Sequence, residues 1–346
     1  GWSKPPYRAK GDWKGRGYVT DEALEKVKQF NRKNNKRSGL GPAVEAADVS
    51  DNAYQDGKNT EVAIEELKRL NKKDKPFFLS MGFSKPHLPF NAPQKYWDLY
   101  DRDEIDLADN PFVPEGATEY SLTNFGELRG YFGIPEKGDI PEDKAKELIH
   151  GYYACVSYID ALLGKLIGEL KHLGLKEDTI IIFWGDHGWK LGEHNSWCKH
   201  TNFEIDTRVP LIMNVPEIKF FQNETDSLVE FVDVYPTLTE LAGLSVPDHL
   251  EGTSFVPLLK NPKQDWKNAA FSQYPRYPKV MGYSMKTKRY RYTEWKDTET
   301  GEVFDRELYD HNQDPQENVN VVHKCEYKEI IKELSEKLEI GFENYN

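Results

Sequence analysis

The run Thr179-Ile180-Ile181-Ile182-Phe183-Trp184 restricts the fold more than any other stretch of this chain. It is apolar with no polar alternation, so the strand it predicts is covered on both faces, as in the parallel sheets of α/β sandwiches. A long amphipathic helix is expected before it, over 142–173. There Leu148, Ile149, Tyr152, Val156, Ile159, Leu163 and Leu170 recur at three- and four-residue steps. Helices are also expected over 21–34, 60–72 (capped by Asn59 or Thr60) and 234–241, with buried strands over 76–83 and 209–215. Alternating helix and buried strand is the doubly wound pattern, so the predicted class is α/β, with a mainly parallel sheet flanked by helices. After Pro262 the texture changes to short antiparallel strands with turns between, over 270–274, 280–286, 289–295 and 307–309, and a terminal helix over 327–340. These predict a smaller α+β subdomain, giving domains of 1–262 and 263–346. The Pro-, Gly- and Asp-rich stretch 101–141 reads as a long surface excursion.

Charge and cysteine usage exclude several classes. The formal net charge of −12 opposes nucleic acid as a partner, because a phosphate backbone calls for a basic surface. A polyanionic carbohydrate remains open if a local basic pocket works against the global field. No apolar run approaches the ~18 residues of a membrane span. Three widely spaced cysteines, Cys155, Cys198 and Cys325, form neither a disulfide framework nor a CxxC metal site. Cys155, on an apolar helix face, is expected to be buried.

Two clusters carry chemistry. Asp186-His187-Gly188-Trp189 follows the buried strand directly, with Leu191-Gly192-Glu193-His194 and Trp197-Cys198-Lys199-His200 close behind. Ligands of α/β sheets gather at the carboxyl ends of strands. A carboxylate beside an imidazole can bind metal or move protons, and Lys199 can fold back as a charge for an anion. The plain alternative is a strand-end turn with a capping Asp and solvated His and Lys. Lys85-Pro86-His87 follows the 76–83 strand in the same way, with prolines stiffening the loop around the imidazole. Both clusters are expected to serve one pocket.

These residues carry a resemblance. Pro76-Phe77-Phe78-Leu79 through Lys85-Pro86-His87-Leu88-Pro89-Phe90 is similar to the sulfatase family, and within it to the iduronate-2-sulfatase branch. So are Asp186-His187-Gly188-Trp189, Tyr235-Pro236-Thr237-Leu238, Ser272-Gln273-Tyr274-Pro275-Arg276, Met281-Gly282-Tyr283-Ser284, Arg289-Tyr290-Arg291-Tyr292-Thr293 and Trp2-Ser3 with Pro5-Pro6-Tyr7. The resemblance implies an alkaline-phosphatase-like superfold and a sulfuric ester hydrolase acting on a sulfated carbohydrate. In that family a cysteine-derived formylglycine attacks sulfur, while calcium and cationic side chains hold the sulfate. By position, Asp186 and His187 would be metal ligands, His87 and Lys199 catalytic groups on the sulfate, and Lys85, Trp189, His194 and Arg276 substrate contacts. An ion pair is the other reading of Arg276.

The nucleophile motif, Cys-x-Pro/Ser-x-Arg, has no match. Four residues after Cys155, Cys198 and Cys325 stand Ile159, Asn202 and Glu329. The formylglycine is therefore expected on an N-terminal segment outside this chain, whose strands would complete the sheet. A non-catalytic sulfoglycan-binding module and a phosphatase or phosphonate hydrolase of the same superfold are the other readings. Family habit places such an enzyme in a periplasmic, secreted or lysosomal setting, and Asn223-Glu224-Thr225 is a glycosylation sequon.

Overall fold

The computed structural model describes residues 4–7, 9, 16–34, 40–73, 75–216, 218 and 224–341. Trp2, Ser3 and the sequon residue Asn223 lie outside them. Two compact units emerge, one of residues 1–109 with 125–179 and the other of 110–124 with 180–346. This division differs from one at residue 262, because the β-rich C-terminal sheet packs with the strand-end loops rather than apart from them.

In the first unit, α1 (Asp21–Asn34) has acids in its first turn and bases in its last, matching the helix dipole. The strand β1 (Val44–Ala47) leads to α2 (Gln55–Asn71), and β2 (Phe90–Pro93) pairs with β1 in parallel, Val44 opposite Phe90. Short α3 (Gln94–Trp97) and α4 (Gly126–Arg129) precede α5 (Glu142–His172). α2 starts five residues earlier than its sequence suggests. Thr60 is not a cap; its hydroxyl donates back to the Asp56 carbonyl at 2.8 Å, inside the helix. α5 buries Leu148, Ile149, Ala154, Cys155, Tyr158, Ile159 and Leu162, whereas Val156 is exposed. Gly151 lets this helix sit close, since a Cβ there would come within 2.9 Å of Phe90 and Trp97.

The expected strand over 76–83 takes no part in a ladder, although exposure alternates residue by residue along it and Phe78 is 69% exposed. A strand is defined by its partner, and none of the described residues pairs with this one.

In the second unit, β3 (Ile181–Trp184) pairs with β6 (Leu211–Asn214), and the pair is antiparallel, Ile181 opposite Asn214. Between them lie β4 (Lys190–Leu191), β5 (Trp197–Cys198) and the single turn α6 (Glu204–Thr207). Then come α7 (Val234–Leu241) and α8 (Val256–Lys260). Strands β7 (Ala269–Arg276), β8 (Val280–Thr287), β9 (Tyr290–Asp297) and β10 (Val303–Asp310) form an antiparallel sheet in sequence order. α9 (Lys328–Ile340) covers it. Met285, Tyr292 and Leu308 lie in one cross-strand row and share a core with Ala269, Tyr327 and Leu334. Residues 110–124 are no surface excursion. Glu115 bridges Val319, and Tyr120 packs on Trp295 and Phe304.

Candidate functional site

The candidate residues fall on both units, and each cluster is built by its own. In the second unit, β3 ends at Trp184 and the chain crosses closely under the α6 turn. Gly188 N–H donates to the Asp206 carbonyl at 2.8 Å, and a Cβ at Gly188 would lie 1.8 Å from the Ile205 oxygen. Only glycine tolerates that approach. The crossing leaves the Asp186 carboxylate at the strand end, with its side chain 88% exposed. His187 turns back, its Nδ1 2.9 Å from the Gly188 oxygen and its Nε2 3.8 Å from Asp186 Oδ1.

Trp189 organises the neighbours. His187 stacks against its indole at 6.1 Å between ring centres, and the Lys199 ammonium lies 4.7 Å from the centre of the same ring. The β4–β5 pairing, Lys190 opposite Cys198, brings Lys199 back from ten residues along the chain. The backbone is strained along this hairpin and just beyond it. His194, Asn195, Cys198 and His200 all have positive φ, from 49° to 90°, where non-glycine residues are disfavoured.

A buried ion pair braces the whole arrangement. Lys190 is fully buried, and its ammonium bonds the Asp206 carboxylate and, at 2.8 Å, the Thr201 hydroxyl. Asp206 also accepts from the Thr201 hydroxyl and, at 3.0 Å, from its N–H. Burial pulls the Lys190 ammonium below the usual lysine range, and Asp206 works against that shift. The sequence pointed to Trp189 and Lys199 but not to this pair. Lys190 lay inside the motif, and no local pattern joins it to Asp206.

His194 and Arg276, expected as substrate contacts, are engaged elsewhere. His194 is 3% exposed, packs on Phe203 at 4.4 Å and bonds the Gln316 carbonyl through Nε2; burial pushes its imidazole down. Arg276 donates to the carbonyls of Tyr120, Leu122 and His200 at 2.6–3.2 Å, which ties the end of the Lys199 loop to β7. Its partners are carbonyls, not the carboxylate of an ion pair.

In the first unit, the Lys85-Pro86-His87 loop hangs on two buried groups. Asp56 accepts from the backbone N–H of Ser84 and Lys85, both at 2.9 Å, and burial raises its carboxyl. The Lys85 ammonium donates to the carbonyls of His87 at 3.0 Å and Pro89 at 2.5 Å, so it binds its own loop and holds the imidazole in place. Burial lowers this ammonium. His87 Nδ1 lies 2.8 Å from the Leu88 carbonyl, and Nε2 lies 2.8 Å from Glu127 on α4. Glu127 was not evident in the sequence, sitting forty residues away in a stretch without periodicity.

Calcium is the metal expected from the sulfatase resemblance. Calcium takes six to eight oxygen ligands. The open Asp186 carboxylate suits it, while the nitrogen of His187 does so less well. A second cluster of metal-capable type, Glu204, His311 and Glu317, is filled by the Arg291 guanidinium, which bonds both carboxylates.

The sulfatase family model matches residues 7–244, most of the chain. The chain belongs to the sulfatase family. A second model, the C-terminal part of N-sulphoglucosamine sulphohydrolase, matches residues 192–343. Iduronate 2-sulfatase of Mus musculus is 31% identical over 96% of this chain and 72% of its own length. That of Homo sapiens is 32% identical over 85% of this chain, which spans 64% of the human protein. Among solved structures, the phosphonate monoester hydrolase of Agrobacterium radiobacter matches with a TM-score of 0.69 and 22% identity, over 92% of this chain and 69% of that one. A protein solved with D-glucosamine-2-N,6-O-disulfate matches with a TM-score of 0.68 and 23% identity, over 83% of this chain and 70% of that one. This sulfatase therefore has the α/β, alkaline-phosphatase-like fold, with a C-terminal antiparallel sheet and terminal helix. None of its described helices is long and apolar enough to cross a membrane.

Proposed function

We propose that this chain is the larger part of a calcium-assisted sulfatase that hydrolyses a sulfate ester on a sulfated carbohydrate, of the iduronate 2-sulfate or related glycosaminoglycan type. One observation carries the reading. At the end of β3, an exposed carboxylate lies 3.8 Å from an imidazole, and the indole that stacks on that imidazole also carries an ammonium on its ring. Asp186 would hold calcium in part, with His187 beside it. The ion's charge would offset that of the sulfate. Lys199 would bind a sulfate oxygen as a point charge, and Trp189 fixes where its ammonium sits. His87, oriented by Lys85 and Glu127, would donate a proton to the leaving oxygen. Lys85, His194 and Arg276 would act by positioning.

The formylglycine nucleophile would come from polypeptide outside this chain. Of the three cysteines, Cys155 and Cys198 are buried and none has the required Arg. The extended 76–83 segment, with its period-two exposure, is suited to pair with a strand from the same source. A periplasmic, secreted or lysosomal setting fits this substrate class.

The test is desulfation of defined 2-O-sulfated uronate disaccharides by the polypeptide that includes the nucleophile, with a phosphate ester and a phosphonate in parallel. Asp186→Ala should lower desulfation at least about a hundredfold and abolish the rise in thermal midpoint that calcium gives the parent. An unchanged calcium response in Asp186→Ala would remove this residue from the metal site. Faster turnover of the phosphorus esters would overturn the substrate class.

A further inference from the structure

Lys199 stands between two fixed stretches of chain. Ser196, Trp197 and Cys198 before it are buried, as are Thr201, Asn202 and Phe203 after it. Within this run, Lys199 and His200 alone are partly exposed. Cys198 is fixed by its place opposite Lys190 in the β4–β5 ladder. Thr201 donates its N–H to the Asp206 carboxylate at 3.0 Å, and its hydroxyl accepts from Lys190 at 2.8 Å. Asn202 donates to the Gly282 carbonyl at 3.0 Å. Two residues must therefore link two immobile ends, and the link closes with His200 at φ 90°.

Glycine is favoured at that φ, and a histidine gives up stability to adopt it. Two residues of β7 hold it there. Tyr274 and Arg276, two positions apart, share one face of the strand. Arg276 donates to the His200 carbonyl at 3.0 Å, and its guanidinium lies 4.8 Å from the centre of the Tyr274 ring. The His200 imidazole packs on that same ring at 5.7 Å between centres. Backbone and side chain of His200 are thus attached to one pair of residues.

The consequence falls on Lys199. At positive φ, a residue with a Cβ is confined to a narrow range of ψ, whereas glycine also reaches the wide mirror image of the β region. A confined His200 fixes the peptide plane that joins it to Lys199. With that plane goes the direction in which the ammonium reaches the Trp189 ring, 4.7 Å from its centre. We propose that His200 is a positioning residue whose left-handed backbone, clamped by Arg276 and Tyr274, aims Lys199 at the indole. The use of that placement, binding sulfate, rests on the proposed function.

The experiment compares His200→Gly with His200→Ala. Both variants lose the imidazole, and they differ in the backbone they allow. His200→Gly should melt about 2–4 °C above His200→Ala, because alanine keeps the strain and glycine does not. In chain carrying isotope-labelled lysine, the methylene protons beside the Lys199 ammonium should resonate upfield of their solvated position, shifted by the indole ring current. Loss of that signal in Lys199→Arg assigns it. His200→Ala should keep the upfield shift, and His200→Gly should lose most of it. In the polypeptide that includes the nucleophile, kcat/KM for a small aryl sulfate should be at least about threefold lower in the glycine variant than in the alanine variant. A glycine variant that keeps the upfield shift, an alanine variant that loses it, or a glycine variant melting no higher than the alanine one would each overturn the proposal. Loss of the shift in the glycine variant, with equal kcat/KM in the two, would instead overturn the sulfate role of Lys199 and leave the positioning by His200 standing.

Discussion

Replacing Lys190 with Met should destabilise the protein by about 3–5 kcal/mol, the cost of removing one partner of a buried ion pair. Methionine keeps most of the apolar stem, so little cavity forms and the loss falls on charge. Asp206 stays buried, 5% exposed, with one carboxylate oxygen already lacking a partner. Its other oxygen then keeps only Thr201. The Phe203 ring, 5.5 Å from the Lys190 ammonium, also loses its cation. For a unit of this size the change corresponds to a fall of roughly 6–20 °C in thermal midpoint. Adding Asp206→Asn removes the orphaned charge, so the double variant should recover at least about 1 kcal/mol relative to Lys190→Met alone. Denaturant unfolding of the four proteins, followed by tryptophan emission, closes the cycle. A single variant within about 1 kcal/mol of the parent, or a double variant as unstable as the sum of both singles, would refute the claim that this pair braces the Trp189–Lys199 hairpin.

Two further outcomes follow from buried titratable groups. Burial would raise the Glu317 carboxyl, but Arg291 and His311 hold it down, from its ordinary 4.5 to about 2. A carboxyl depressed on folding stabilises above its unfolded value and loses that contribution as pH falls toward the folded one. About 3 kcal/mol should therefore disappear between about pH 5 and pH 2. Chemical unfolding across that window should show Glu317→Gln with a flatter profile than the parent, and parallel profiles would contradict the assignment. Burial also pushes the Cys155 thiol up to about 12 and Cys198 is buried, so a thiol reagent at pH 8 should modify one cysteine, Cys325, in the native chain and three after unfolding. Rapid modification of a second thiol in the native protein would count against the burial of Cys155 on α5 or of Cys198 on β5.

What could be read from the sequence divides along physical lines. Elements with their own periodicity were legible: α1 and α7 match their expected bounds and α5 differs by one residue. The four C-terminal strands contain their expected segments to within a residue, although β10 runs over 303–310 where 307–309 was expected. The residues of the strand-end motif were legible for another reason, since glycines that permit close backbone crossing leave a local mark, as Gly188 does. Strand pairing was not legible. Nothing within 181–184 says that its partner runs antiparallel, and nothing within 76–83 says that a partner is lacking among the described residues. Pairing is a property of two segments, and local sequence describes one. The same limit hid the residues that position the site. Lys190 with Asp206, His87 with Glu127, and Arg276 with three carbonyls are joined by tertiary packing across sixteen, forty and up to 156 residues. Residue type is therefore a guide to which side chains carry charge or bind metal, whereas burial decides which of them face a ligand and which hold the scaffold. His194, Lys85 and Arg276 have the chemistry of substrate contacts, yet each directs its donors at backbone carbonyls. A cation that already satisfies a carbonyl must break that bond to bind sulfate, and it would have to do so in a place where burial disfavours its charge. Lys199 holds its ammonium 4.7 Å from the centre of the Trp189 ring, on the same indole that stacks His187. The proposed sulfate-binding role therefore goes to Lys199, which shares its indole with the imidazole at the end of β3, rather than to cations whose donors already hold the backbone.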